Sequence, residues 1–169
     1  MIPINPIEAQ KALDNFTEYL RHNLSSLTQT NLIPFEDELK HIQTYVELEK
    51  LRFNDRLNVF YDIKCTDFFV PPLSVQPLVE NAVKHGILKK TDGGTLSFKV
   101  YEADDAYVVE IKDDGVGFDS NNLSYDQNKH FGINNIKHRL TSMCDGELTI
   151  ESQPNKGTFV VVKFFKEQK

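Results

Sequence analysis

One stretch of the chain, Gln76–Gly86, combines an apolar helix face with polar side chains that could hold a metal-bound phosphate. At helical spacing, four apolar residues fall on one side and predict a buried stripe: Val75, Leu78, Val79 and Ala82. Asn81 and Lys84 fall on the opposite side, with His85 at its edge. Magnesium accepts hard oxygen ligands such as an amide, and an ammonium group neutralises phosphate. The stretch is equally compatible with an ordinary surface helix in which Glu80 and Lys84 form an i,i+4 pair.

A second motif, Asp113-Asp114-Gly115-Val116-Gly117, follows a predicted strand. Two glycines at this spacing let the backbone pass close to a ligand. The carboxylate of Asp113 at the strand end can accept a hydrogen bond from an exocyclic amine such as adenine N6. Alone, the motif also fits a glycine-rich turn that leaves a sheet.

A polar segment, Ser120–Lys129, separates this motif from Gly132 and a predicted helix. Its composition predicts either a mobile lid over a site or a loop without function. Gly132 at a helix start leaves backbone N–H groups available to phosphate. Lys129, His130 and Arg139 could add positive charge there.

Composition sets limits on the function. The chain has 169 residues, an apolar fraction of 40% and a net charge of −6, which suits one domain, or one domain with an appendage. The acidic balance argues against general binding to nucleic acid or to anionic membranes. Cys65 and Cys144 lie far apart, which predicts free thiols in a reducing compartment. We expect no transmembrane segment and no signal peptide in this chain.

Hydrophobic periodicity predicts the elements that position these residues. Helices are predicted at about residues 8–27, from Pro34 to Phe53, around Asn81 and after Gly132. Alternating patterns predict strands at about residues 57–63, 96–100, 107–111, 147–152 and 158–165. The second helix opens with Glu36, Asp37 and Glu38, where acidic side chains stabilise the positive helix end.

The first predicted helix carries a narrow apolar stripe at spacings of three and four: Ala9, Leu13, Phe16, Leu20, Leu24 and Leu27. Such a stripe is typical of a two-helix or four-helix seam. A helix packed on its own domain would show the same pattern. His22 lies off the stripe and is interpreted as a solvated helix residue.

In this order the motifs resemble the Bergerat-fold ATP-binding domain of the GHKL superfamily. Within it, the sequence is most similar to sensor histidine kinases of the autolysin-sensor (LytS-like) subfamily. Gln76–Gly86 resembles the asparagine box of that subfamily, and Glu47–Phe53 with Asp55–Leu57 resembles its lead-in helix. The resemblance covers about residue 6 to the end. It implies a two-layer α/β (α+β) sandwich with a mixed β-sheet covered on one face by helices. It also implies a remnant helix of the dimerisation region at 1–30 and the catalytic domain at 31–169.

The resemblance further implies ATP and Mg²⁺ as ligands. Asn81 would be the magnesium ligand, Glu80 would orient its water shell, and Lys84 and His85 would lie beside the phosphates. On the base side, Asp113 would hold the adenine amine.

Further positions complete the implied site. Gly115 and Gly117 would shape the adenine pocket, and Thr158 would lie under the base. Gly132 would be the glycine of the second glycine box, at the phosphate side. Asn135 stands where the subfamily often has asparagine.

Three departures from the family pattern matter. Pro77 stands where many histidine kinases have a second asparagine, so the metal site would depend on one asparagine and on water. Phe131 replaces the first glycine of the second glycine box. The phosphoacceptor signature, a histidine followed by Phe-Leu-Phe-Asn, is absent from the chain and is expected upstream.

We therefore predict the catalytic domain of a sensor histidine kinase, which delivers the γ-phosphate of ATP to an upstream histidine for relay to a response regulator. This chain is expected to bind ATP without autophosphorylating. One alternative is a GHKL ATPase of the non-kinase type, which would carry a glutamate at the position of Pro77. Another is a degenerate module that binds a partner and no nucleotide, against which the intact Asn81 and Asp113 count. We expect homodimerisation through the upstream helical region, no nucleic acid partner, and a cytoplasmic domain in a parent anchored in the inner membrane.

Overall fold

The structure is a computed structural model that describes residues 6–27, 29–119 and 131–166. Its helices are α1 (Pro6–Leu27), α2 (Phe35–Phe53), α3 (Gln76–Asn81) and α4 (Phe131–Met143). Its strands are β1 (Ile33–Pro34), β2 (Leu57–Ile63), β3 (Phe69–Val70), β4 (Gly94–Glu102), β5 (Ala106–Asp113), β6 (Glu147–Gln153) and β7 (Gly157–Phe165). The predicted segment Ser120–Lys129 and His130 lie outside the described residues.

Five strands form one mixed sheet in the order β2-β4-β5-β7-β6. The edge strand β2 runs parallel to β4, and the other neighbouring pairs are antiparallel. Parallel neighbours need a long crossover connection, and here that crossover carries α3 over one face of the sheet. The short strands β1 and β3 pair with each other outside the main sheet.

The core lies between one face of the sheet and the helices. Strand residues such as Phe98, Val109 and Val162 are fully buried, in one hydrophobic cluster with residues of α2 and α3. The aromatic rings of Phe35, Phe68 and Tyr107 stack in sequence, with centroid distances of 4.5 Å at both steps. The predicted apolar stripe of α3 is confirmed, since Val75, Leu78, Val79 and Ala82 are all buried. This two-layer arrangement agrees with the predicted α/β sandwich.

Helix α1 presents its apolar stripe to solvent. Leu13, Phe16, Leu20 and Leu24 are 63%, 49%, 45% and 70% exposed. Another side of α1 contacts α2, where the rings of Tyr19 and Tyr45 lie 5.9 Å apart. The described part of the chain therefore covers these four side chains only in part.

Local details differ from the predictions in several places, among them the short strands β1 and β3, which were not predicted. Helix α2 begins at Phe35, one residue after the predicted start, because Pro34 pairs with Phe69 at the end of β1. The helix around Asn81 is not regular to its end. It changes to a π turn over Ala82–Gly86 and to a 3₁₀ turn over Ile87–Lys89.

Candidate nucleotide-binding site

A cavity of about 410 Å³ is lined by α3 and the π turn that follows it, by the start of α4, and by residues of β5, β6, β7 and the loop after β5. Its volume lies within the range of roughly 300–1,000 Å³ that small-molecule sites occupy. Most of its wall is apolar and is formed by Leu78, Ala82, Phe118, Ile133, Ile150 and Val160. The polar groups on the wall belong to Asn81, His85, Asp113 and Thr158. A flat apolar ring with a polar edge fits such a wall.

Asp113 is the buried polar group of this wall. It ends β5 opposite Thr158 of β7 and is only 2% exposed. The Gly115 N–H donates to its Oδ1 over 2.8 Å, and Thr158 also donates to the carboxylate. Burial raises the pKa of Asp113 above its ordinary value, although these hydrogen bonds partly offset the effect. The geometry places a carboxylate acceptor at the base of an apolar cavity.

Close backbone contact explains the glycines beside Asp113. A Cβ atom on Gly115 would overlap the backbone of Gly86, and a Cβ on Gly86 would lie 2.7 Å from Asp113 Oδ1. The Val116 N–H donates to the Gly86 carbonyl over 3.2 Å. The π turn and the loop after β5 therefore meet without side chains between them. Larger residues would push the two cavity walls apart.

The loop after β5 is also anchored to the ends of β6 and β7. Gly117 has a φ of +56°, which side-chain-bearing residues rarely adopt. The Phe118 N–H donates to Ser152 Oγ over 2.9 Å, and this hydroxyl donates to the Gly157 carbonyl over 3.0 Å. Ser152 Oγ also lies 3.0 Å from Thr158 Oγ1. Ser152 was not among the predicted site residues, because a lone serine in an amphipathic strand carries no distinctive pattern.

Asn81 and His85 lie at the mouth of the cavity, and both side chains are exposed. Glu80 and Lys84 do not contribute to the wall that the described residues form. They instead form the predicted i,i+4 pair, with 3.4 Å between Lys84 Nζ and Glu80 Oε2. Glu80 Oε1 also accepts hydrogen bonds from Tyr19 on α1 and Gln76 on α3. The roles of Glu80 and Lys84 beside the phosphates stay predictions.

The start of α4 also contributes to the cavity. Gly132 and Ile133 line the cavity, whereas Asn135 is exposed and lies off its wall. A Cβ atom on Gly132 would meet no described atom within 4 Å. Farther along α4, Arg139 Nη1 donates to the Pro72 carbonyl over 2.8 Å. Helix α4 is therefore tied to the segment that leads into α3.

The donor set fits a magnesium ion that is bound mainly through phosphate. Within residues 6–27, 29–119 and 131–166, no cluster of three or more His, Cys, Asp or Glu side chains could hold a metal. The Asn81 amide oxygen at the mouth is a suitable single protein ligand, because magnesium usually keeps water and substrate phosphate in its shell.

No helix in the described parts of the chain is both long and apolar enough to cross a membrane.

Comparisons with known proteins define the class to which this fold and cavity belong. The sequence model of the histidine kinase-, DNA gyrase B- and HSP90-like ATPases matches residues 73–168, more than half of the chain. A second model, of histidine kinases, matches residues 1–57. The chain therefore belongs to this ATPase family and, within it, to the ATP-binding catalytic domains of two-component sensor histidine kinases.

Individual relatives agree with this assignment. YwpD of Bacillus subtilis (strain 168) is 38% identical over 159 residues, which cover 90% of this chain and 57% of YwpD. Sensor protein LytS of Oceanobacillus iheyensis is 32% identical over 171 residues, covering 91% of this chain and 29% of LytS. Sensor histidine kinase YpdA of Escherichia coli (strain K12) is 32% identical over 145 residues, which cover 82% of this chain and 26% of YpdA. The chain thus spans 26–57% of the length of these three relatives. The predicted resemblance to the LytS-like subfamily is confirmed.

Solved structures share the fold. The histidine kinase domain of the blue-light activated kinase EL346 from Erythrobacter litoralis aligns with a TM-score of 0.62 at 15% identity, covering 90% of this chain and 74% of that domain. The catalytic domain of histidine kinase ThkA aligns with a TM-score of 0.62 at 10% identity, covering 82% of this chain and 97% of that domain. These matches confirm the predicted fold class.

Proposed function

We propose that this chain binds ATP as its magnesium complex and holds the γ-phosphate for transfer to a histidine in the longer kinase, which then passes it to a response regulator. In such transfer the protein contributes mainly positioning and charge neutralisation. The observation that carries the proposal is Asp113, a carboxylate that is 2% exposed at the base of an apolar cavity. A buried acceptor of this kind suits a ligand with an amine on an aromatic ring.

Each end of the ligand has matching residues in the cavity. The adenine amine would donate to Asp113, while Thr158 and the apolar wall would contact the ring. The phosphates would lie toward the mouth, near His85 and the first N–H groups of α4 at Gly132. The Asn81 amide oxygen would hold the magnesium ion, which supplies positive charge to the phosphate oxygens.

Base selectivity gives a direct test. Guanine has a carbonyl oxygen where adenine has its amine. With GDP bound, this carbonyl oxygen and the Asp113 carboxylate would face each other, and neither can donate a hydrogen bond. A hydrogen bond to a charged group contributes about 1.5–3 kcal/mol, which predicts roughly 10- to 150-fold tighter binding of Mg-ADP than of Mg-GDP. Calorimetric titration of the wild type and of Asp113→Asn measures both affinities. Equal affinity for the two nucleotides, or no binding of either, would overturn the proposal.

The rival function, ATP hydrolysis without transfer, needs a group that activates water. The non-kinase GHKL enzymes carry a glutamate where this chain has Pro77. Glu80 is the neighbouring carboxylate, but it bonds to Tyr19 and Gln76 and does not line the described cavity wall. These contacts support transfer over hydrolysis. Release of inorganic phosphate from ATP at rates typical of enzymes would contradict this part of the proposal.

We further propose that residues 1–30 belong to a helical dimerisation region and residues 31–169 to the catalytic domain. The exposed stripe of Leu13, Phe16, Leu20 and Leu24 supports this division, because its spacing suits a helix seam with a second copy. Sedimentation analysis tests the pairing, and Leu20→Glu should shift any dimer to monomer. Anchoring of the full-length parent in the inner membrane remains our expectation from the subfamily.

A further inference from the structure

Helix α3, which carries Asn81, begins without a side-chain cap of its own. Val75 holds the N-cap position and makes no side-chain hydrogen bond there. The first N–H groups of a helix have no partner within the helix. Solvent does not reach this helix start, since Ser74, Val75 and Gln76 are all 0% exposed. The N–H groups at this helix start therefore need an acceptor from elsewhere in the chain.

Glu38 on α2 supplies that acceptor. Its Oε1 accepts from the N–H groups of Val75 and Gln76 over 3.0 and 3.1 Å, and its Oε2 accepts from Leu73 over 3.0 Å. Leu73 has a φ of +56°, in the left-handed region. This turn directs successive N–H groups into one concave site that suits an anion. One side chain thus satisfies three backbone donors that lie 35–38 residues away.

Glu38 is an unusual residue for this depth in the protein. Its side chain is 0% exposed, and a buried carboxylate is tolerated only where hydrogen bonds replace its hydration. Burial raises the pKa of the Glu38 carboxyl, while the backbone N–H groups that donate to it lower that pKa. An apolar side chain would avoid the cost of burial but would leave three backbone donors, two of them buried, without this acceptor. Glu38 therefore fixes the position of the turn before α3, which an apolar side chain at the same place would not do.

The same turn is also bonded to α4. Arg139 donates to the Pro72 carbonyl over 2.8 Å, and the start of α4 lines the cavity mouth through Gly132 and Ile133. The segment before α3 is thus fixed between α2 and a helix of the nucleotide site. Asn81 follows Val75 by six residues, which is about 9 Å along a helix axis. A shift of the turn would move Asn81 with it.

From these contacts we propose that Glu38 is a positioning residue for the nucleotide site. It holds the start of α3 so that the Asn81 amide lies at the mouth of the cavity, and it acts through the helix without touching the nucleotide. The inference rests on the proposed function, in which Asn81 serves the magnesium–phosphate end of ATP. The adenine end shares Leu78 and Ala82 with this helix, but its hydrogen-bonding carboxylate, Asp113, ends β5, and the rest of its wall comes from other elements. Binding at the adenine end should therefore be less sensitive to Glu38.

The experiment compares the affinity for ADP with and without magnesium in Glu38→Gln and in a matched control. The control is Val46→Ala, also on α2 and also buried, which lowers stability through packing alone. We expect Glu38→Gln to weaken Mg-ADP binding by about tenfold. Binding of metal-free ADP should change by no more than about twofold. Val46→Ala should leave both affinities within about twofold of wild type while urea denaturation reports its loss of stability.

Two outcomes would overturn the inference. One is a folded Glu38→Gln protein that binds Mg-ADP as the wild type does. The other is an equal loss of affinity for ADP with and without magnesium, which would indicate a general structural role. If Glu38→Gln does not fold, Glu38→Asp keeps the charge with one methylene fewer and is judged by the same two outcomes. Failure of the wild type to bind Mg-ADP would instead refute the proposed function.

Discussion

The phenol of Tyr19 on α1 donates a 2.7 Å hydrogen bond to Oε1 of Glu80, the residue before the candidate magnesium ligand. Gln76 Nε2 donates to the same oxygen over 2.9 Å, and Lys84 Nζ lies 3.4 Å from Oε2. The Lys84 ammonium also lies 5.4 Å from the ring centre of Tyr45. Helix α1 is thus bonded directly to the helix of the candidate site, in addition to its packing on α2.

Tyr19→Phe should loosen α1 while leaving the sheet intact. The substitution removes one hydrogen bond to a carboxylate, which predicts a loss of about 1–2 kcal/mol in the free energy of unfolding. Amide hydrogen exchange should become faster along α1, because the helix loses its polar contact with α3. Urea denaturation and exchange mass spectrometry measure the two effects.

Tyr101→Phe provides the control for this substitution. The Tyr101 phenol donates to Glu110 over 2.8 Å on the sheet, so the variant removes a similar bond at a distant place. Its exchange along α1 should equal that of the wild type. Identical α1 exchange in both variants would show that the Tyr19–Glu80 bond does not hold the helix.

Mg-ADP should raise the melting temperature of the wild-type protein. A ligand that binds only the native state adds about 2.7 kcal/mol at a hundredfold its Kd. For a chain of this size that corresponds to an increase of roughly 5–10 °C. Differential scanning calorimetry with and without millimolar nucleotide checks this. Asp113→Asn should show a smaller increase, and an unchanged wild-type melt would refute nucleotide binding.

Nucleotide affinity should depend on pH through Asp113. Its pKa is raised in the empty protein, chiefly by burial, and a bound adenine amine would favour the ionised carboxylate. Affinity should therefore be complete above the raised pKa and should fall as the pH falls through it. The sign follows because protonated Asp113 offers the amine a weaker acceptor.

Calorimetric titrations across this range measure the pH effect. The nucleotide phosphates titrate as well, so Asp113→Asn is needed to report their share. The wild type should lose more affinity toward acid pH than this variant. Parallel pH profiles for the two proteins would contradict the assigned role of Asp113.

The chain should bind ATP without retaining a phosphohistidine. His85 lies at the mouth of the cavity, where a group that neutralises phosphate is a poor acceptor of it. In-line transfer needs a nucleophile placed opposite the leaving group, and the sequence around His22 carries no phosphoacceptor motif. Incubation with γ-labelled ATP and magnesium tests this. An acid-labile, base-stable label that disappears in His22→Gln would overturn the prediction.

Local patterns made several features of the candidate site predictable. The buried face of α3 follows from the spacing of Val75, Leu78 and Val79, because helical periodicity reports burial directly. Asp113 is recognisable because a carboxylate at a strand end before two glycines is an uncommon combination. The identity of the family followed from such motifs taken in order.

Features that depend on distant contacts were not predictable. Glu38 does lie in the first turn of α2, as expected for an acid at the positive helix end. Its burial against the turn before α3 depends on tertiary packing, and no local pattern distinguishes it from Glu36 and Asp37. The π turn over Ala82–Gly86 could not be predicted from the sequence either, because one widened turn scarcely alters hydrophobic periodicity.

The crossover between β2 and β4 has a consequence for how the domain folds. These parallel strands are separated by about 30 residues that include Asn81, so they pair only after a long loop has closed. The antiparallel hairpin β4–β5 is local and can form first. Asn81 and Asp113 come to line one cavity only when the slow pairing is complete, so nucleotide should recognise the finished fold and not its earlier intermediates. In stopped-flow measurements, Mg-ADP should therefore slow unfolding while leaving the refolding rate nearly unchanged.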